Sequence, residues 1–269
     1  VTRFTHDFKS QTAGTTVTVV NSDDFGDSPL TAVVVAAGST LTYETAELAS
    51  GYPSVRSAFP VTAAATYFAK ALTQWPVAYG RMLVRINQNP SAALGLIFGT
   101  TITGGTVNQC RVSITAAGKL AISNLSTIQA TSTDSVPLNT PFVIEWMFSM
   151  SATSTGSMTA SFHAAGVAAT ANQQIASSTS QNWSLAYLEQ FRVVQPASGG
   201  PVSPLVVEVG AVAFDDTTAP GDIVTAQYHR PASDVTITGW TSSSGVGSLA
   251  SHIDDDPVND TDYVTSVAV

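Results

Sequence analysis

Carboxylates are the side chains of this sequence best suited to chemistry, and they fall into two loops and a few isolated positions. Ser22-Asp23-Asp24-Phe25-Gly26-Asp27 gathers three acids and a glycine, and Asp254-Asp255-Asp256-Pro257-Val258-Asn259-Asp260-Thr261-Asp262 gathers five acids. Oxygen clusters of this kind suit a hard cation, although neither has the spacing of the roughly twelve-residue EF-hand loop. The other reading is a solvated turn capped by Asx hydrogen bonds. Glycan hydrolysis would need two carboxylates on one strand face, about 5 to 5.5 Å apart for a retaining enzyme. Residues i and i+2 share a face, so the pair would read as Glu-x-Asp-x-x-Glu or a close variant. Glu145, Glu189 and Glu208 are instead isolated.

Nucleophilic constellations are missing as well. His6, His163, His229 and His252 are widely spaced, and no Gly-x-Ser-x-Gly elbow is present. Cys110 is the single cysteine, with no histidine at a suggestive spacing, and is expected to be a small buried residue outside any disulfide. The expectation from these residues is a protein that is not an enzyme. Trp75 beside Pro76, Tyr79, and Trp183 after Asn182 read as loop aromatics able to stack on sugar faces. Their alternative is to plug a sandwich edge or touch a neighbouring subunit. Trp146 reads as core.

The elements that would position these residues are almost all strands. Candidates recur at Thr15–Val20, Ala32–Ala36, Ser54–Phe59, Ala65–Leu72, Arg81–Gln88, Ala93–Gly99, Asn108–Thr115, Lys119–Asn124, Phe142–Met150, Ser157–His163, Leu185–Val194 and Leu205–Phe214. Gly, Pro, Asn or Ser punctuates most of the gaps, as in a double-sheet sandwich or jelly roll. Arg111–Asn124 reads as a hairpin around Ala116-Ala117-Gly118-Lys119. In Phe142–Met150 the set Phe142, Ile144, Trp146 and Phe148 shares one face. Leu205–Phe214 is apolar on both faces and belongs in the middle of a sheet. Only Thr42–Ser50 has mild helical character, and it reads equally well as a strand and turn.

Charge separates two regions. Residues 1–214 hold 10 acidic and 9 basic side chains, a net of −1, whereas residues 215–269 hold 9 acidic and one basic, a net of −8. Phosphate contacts are made by Lys and Arg, so this balance argues against a nucleic-acid partner. No stretch approaches the roughly 20 apolar residues of a membrane span, and Val1–Ser10 lacks the apolar run of a signal peptide, so a soluble protein without its own export signal is expected. Residues 1–216 read as one sandwich and residues 217–269 as an acidic arm or small docking appendage, too short for a core of its own.

The sequence resembles the concanavalin-A-like, laminin-G-like jelly rolls of virion proteins, chiefly minor tail and surface proteins, in phages of high-GC Gram-positive bacteria. The resemblance rests on Phe8 with Gly14-Thr15-Thr16-Val17-Thr18 and Asn21-Ser22, on Gly51–Phe59, and on Thr66–Leu72 leading to Trp75-Pro76. It continues through Gly118-Lys119-Leu120, Leu138–Trp146 and Val209–Asp216. It implies an all-β, antiparallel two-sheet jelly-roll sandwich with an extended C-terminal arm. It also implies a structural calcium ion at Asp24 with Asp215, other virion subunits as partners in a homo-oligomer such as a trimer, and a location in the virion. Within the arm, Trp240, Ile253, Tyr263 and Val264 are the expected docking anchors. The reading is therefore a structural virion protein: a minor tail, fibre or spike, or capsid decoration protein. The alternatives are a host-recognition module that binds cell-surface carbohydrate through Trp75, Tyr79 and Trp183, and a glycan hydrolase.

Overall fold

The structure, a computed structural model, describes residues 3–6, 8, 12–22, 29–44, 48, 54–59, 66–101, 107–125, 127–165, 174–183, 185–196, 205–220, 240–242 and 264–266. Two compact units divide the chain, Val1–Thr225 and Ala226–Val269. The first is an antiparallel two-sheet jelly-roll sandwich. One sheet runs, in spatial order, through β13 (Gln174–Gln181), β12 (Gly156–Ala164), β11 (Phe142–Ser149), β6 (Val77–Ile86), β15 (Leu205–Asp215), β4 (Ser54–Phe59) and β3 (Thr40–Glu44). β1 (Arg3–His6) pairs with the second half of β15, where β4 no longer reaches. The other sheet runs through β10 (Thr127–Ser135), β9 (Lys119–Asn124), β8 (Val107–Ile114), β7 (Leu94–Thr101), β14 (Leu188–Pro196), β5 (Tyr67–Trp75) and β2 (Ala32–Val34).

Alternation along the strands builds the core. Phe142, Ile144, Trp146 and Phe148 all point between the sheets, as the period of two requires. Phe214 of β15 stacks on Phe191 of β14 at 4.6 Å, which joins the two sheets through their aromatic rings. Trp146 meets both rings edge-on, at 6.4 Å from Phe191 and 5.7 Å from Phe214. That indole fits because its cross-strand partner is Gly80, where a Cβ would run into the ring. β15 does lie centrally, between β6 and β4, but its simple alternation breaks. A bulge between Val209 and Val212 inserts one residue, so Val207, Val209, Val212 and Phe214 all face the core.

The β8–β9 hairpin forms as its sequence requires. Gly118 takes a left-handed φ of 77°, and Thr115 and Lys119 close the loop through the Thr115 N–H on the Lys119 carbonyl at 2.9 Å. Thr15–Val20 is not a strand. Asn21 accepts from the Thr18 N–H at 2.7 Å and donates to the Thr16 carbonyl at 2.8 Å, so side-chain bonds replace the ladder. A short 3-10 turn, Val20–Ser22, follows. The strand Thr40–Glu44 takes in the first three residues of the ambiguous Thr42–Ser50 segment, and the rest, apart from Leu48, lies outside the described residues.

The edges of the two sheets meet on one side. Asn124 at the end of β9 donates to the Gln181 Oε1 of β13 at 2.9 Å, and Gln181 donates to the Gln129 Oε1 of β10 at 3.4 Å. In the second unit, β16 (Trp240–Ser242) pairs antiparallel with β17 (Val264–Ser266).

Candidate functional site

Most of the residues named from sequence occupy structural positions. Asp215 turns its Oδ1 into its own exit turn, accepting from the Thr217 N–H and Oγ1, each at 2.8 Å, and from the Thr218 N–H at 3.0 Å. This is the capped-turn alternative for that carboxylate; Asp24 lies outside the described residues. No three His, Cys, Asp or Glu side chains among the described residues are grouped so as to hold a metal. Trp75 and Trp183 are 2% and 1% exposed, so neither presents a ring to a sugar. Trp75 lies edge-on to Phe191 at 6.5 Å, and Trp183 fills the space above Gly156. Both sit where a strand meets a loop, and both rings turn inward because the core has room for them there. Tyr79 is half-buried on β6, opposite Met147 and Asp215. Trp240 and Val264 belong to the β16–β17 ladder, whereas Ile253 and Tyr263 lie outside the described residues.

The outward faces of the two sheets differ in how they treat charge. On the first sheet, Arg81 donates to Glu145 at 3.1 Å, Arg85 pairs with Glu208, and Arg56 lies 3.8 Å from Glu44. The isolated glutamates of β11 and β15 are thus partners of arginines directly opposite them in register. Leu48 packs with the outward-facing Leu83 and Val143, all nearly fully buried, so part of this face is itself a small core. His163 lies on the same face, 2% exposed.

The second sheet places its cations among neutral groups. Ala69, Arg192, Phe98, Arg111, Ser123 and Ile128 form one cross-strand row over β5, β14, β7, β8, β9 and β10. Arg192 lies over the Tyr67 ring at 4.7 Å and donates from Nε to the Gln190 Oε1 at 2.8 Å. Arg111 lies over the Phe98 ring at 5.8 Å and donates to the Ser123 Oγ at 3.4 Å. Among the described residues neither guanidinium has a carboxylate partner. Aromatic faces and neutral oxygens therefore hold both cations in place and leave their charge uncancelled. Burial lowers the Arg111 pKa from its ordinary value, a group that nonetheless stays protonated in proteins.

Two polar atoms on this face have no partner. The Ser113 hydroxyl, on a residue 0% exposed, and the Arg111 Nε are both buried without a hydrogen bond. They stand two residues apart on β8 and so share its outward face. Buried polar groups are nearly always satisfied, so this pair stands out, as do the Arg56 Nε and the Ser57 hydroxyl on β4 of the first sheet. The sequence held one sign of this face in the alternation Arg111-Val112-Ser113-Ile114. Phe98 carried none, because a bulge between Gly95 and Ile97 sets its direction. Cys110 faces the core, its Sγ 3.9 Å from the Gly99 carbonyl, and burial pushes its thiol far up, so it is inert at neutral pH.

No protein-family model and no curated protein matches the chain. Solved structures do. An endo-β-1,4-glucuronan lyase from Trichoderma reesei matches at a TM-score of 0.52 and 12% identity, over 69% of this chain and 90% of that one. An alginate lyase from Aplysia kurodai matches at 0.52 and 10%, over 67% and 87%. The alginate lyase Aly36B matches at 0.53 and 11%, over 81% and 98%. At these identities the likeness is one of fold. It overturns the expectation of a protein that is not an enzyme, because lyases are built on this same sandwich. The missing carboxylate pair speaks only to one hydrolytic route.

Proposed function

We propose that the chain recognises and processes a polysaccharide on the outward face of its second sheet. The observation that carries this reading is the pair of half-buried arginines Arg192 and Arg111, in register across β7 with no carboxylate partner among the described residues, and the half-buried Tyr67 ring beside Arg192. Polysaccharides are bound by such combinations, the rings supplying area and the polar groups orientation. The lyase names among the fold neighbours support the same class of ligand. A lyase removes a proton beside a carbonyl carbon, so a general base rather than a carboxylate pair is the group to seek. Tyr67, whose ring lies under the Arg192 guanidinium, is the candidate for that role.

Affinity electrophoresis against a panel of neutral and acidic polysaccharides tests the reading, with ultraviolet absorbance followed for the unsaturated ends that a lyase produces. At least one polymer is expected to retard the protein, and Tyr67→Ala is expected to weaken that binding about tenfold, or about 1.4 kcal/mol. Binding that no change on this face weakens, or no binding at all, would sink the proposal.

A second reading is favoured by the charge gradient along the chain. Under it the sandwich belongs to a phage particle, and the acidic carboxy-terminal region, through Trp240, Ile253, Tyr263 and Val264, docks on neighbouring subunits. The polysaccharide would then be one on the host surface.

A further inference from the structure

We propose that a second copy of this chain pairs along the outer edge of β2, antiparallel and about a two-fold axis. A two-sheet sandwich has four edges, and the chain closes three of them itself. The β10 and β13 edges face each other across the amide seam of Asn124, Gln129 and Gln181. The β3 edge is covered by the segment before it. There the Gly14 N–H donates to the Tyr43 carbonyl at 2.8 Å, and the Val17 N–H donates to the Leu41 carbonyl at 2.9 Å. β2 ends its sheet, and among the described residues no strand pairs with its far side.

Open edges are normally blunted by charge, proline or a bulge. This one is not. No charged residue stands between Pro29 and Tyr43, Ala32-Val33-Val34-Val35 contains no proline, and the register on β5 runs without a shift. Three residues make a short ladder, so side chains must add to it, and Val34 and Val35 are 37% and 40% exposed. The Ser22 Oγ accepts from the Leu30 N–H at 2.9 Å, which ties the Val20–Ser22 turn to the approach to β2. Val19 and Val20, beside and in that turn, are exposed as well, Val20 to 90%. Four of the seven exposed large hydrophobics among the described residues therefore lie on these two linked segments.

The occupant is a second copy because the strand is its own match. The chain carries −9, so two copies repel over most of their surface, but not along this uncharged edge. Pairing centred on Val34 sets that residue opposite its counterpart and Val33 opposite Val35, so only apolar side chains meet. Val34 stands opposite Tyr67 of β5, so the paired copies carry two Tyr67–Arg192 groups on one continuous sheet.

Sedimentation equilibrium of the full chain over a range of concentrations tests this. The native chain is expected to pass from monomer to dimer in the micromolar range, in low and in high salt alike, because no ion pair holds the edge. Val34→Lys is expected to weaken the dimer about tenfold or more, whereas Leu138→Lys, at an exposed apolar site between β10 and β11, leaves it unchanged. Val34→Cys is expected to form an interchain disulfide on mild oxidation, since facing Cα atoms lie about 4.5 to 5.5 Å apart. Cys110 is buried and does not compete. That variant keeps the test alive should a thermal melt show Val34→Lys unfolded. A monomer at every concentration, a dimer indifferent to Val34→Lys, one that high salt dissolves, or no crosslink each overturns the inference. Mass and crosslinking are read without polymer, so the polysaccharide reading stands or falls separately.

Discussion

At the scale of single residues, one glycine governs the meeting of the two sheets. Gly80 stands opposite Trp146, whose indole occupies the space a side chain would need. Gly80→Ala therefore forces that ring off Phe191 and Phe214. We expect a loss of about 3 kcal/mol and a fall in melting temperature of roughly 6 to 12 °C, read by calorimetry. A melting temperature within about a degree of the native chain would mean that the ring has another place to go. The same scale explains which site residues were visible in the sequence. Trp75 and Trp183 carry the right chemistry for sugars, but residue type and loop position do not reveal which way a ring turns at a strand end. Arg111 and Ser113 were visible only as alternation; the missing partners of their polar atoms are a property of packing.

At the scale of elements, alternation was a sound guide wherever a strand had the core on one face and ran without interruption. Ser54–Phe59 and Lys119–Asn124 match their expected limits, and β11 buries the face its sequence marks. β10 and β13 went unseen because each lies at a sheet edge and is dressed mainly in hydroxyls and amides, with little apolar signal to show its period. β15 was placed correctly in mid-sheet, yet its bulge reverses the facing of its last residues. That bulge makes an unusual expectation. Deleting Gly210 should leave Val209 and Val212 on the core face in regular pairing, so the protein stays folded with a single cooperative melt. Deleting Glu145 from the unbulged β11 turns Phe142 and Ile144 to the wrong side and should abolish that melt. Equal damage from the two deletions, compared by circular dichroism, would contradict the register.

At the scale of the molecule, net charge and local charge tell different stories. The chain as a whole carries −9, yet Arg111 and Arg192 on the second sheet have no carboxylate partner among the described residues. A sum over residues cannot register this sorting, because the acids that balance the other arginines lie opposite them on the first sheet. Fold class was legible from composition and turn spacing, whereas which of two similar faces pairs its charges internally depends on cross-strand register. The unit Ala226–Val269 has six acids and one base, a net of −5. A chain ended after Thr225 is expected to melt within a few degrees of the full one and to keep its polymer binding. If the second reading holds, it will also fail to join particles in a reconstitution assay. A large fall in melting temperature would show instead that the sandwich leans on its acidic neighbour.

The seam that Asn124, Gln129 and Gln181 make between the sheet edges contains no ionisable group. Brine and moderate acid, which weaken attraction between opposite charges, leave amide contacts largely as they were. Salt and acid that loosen the ion pairs of the first sheet should therefore leave this seam closed.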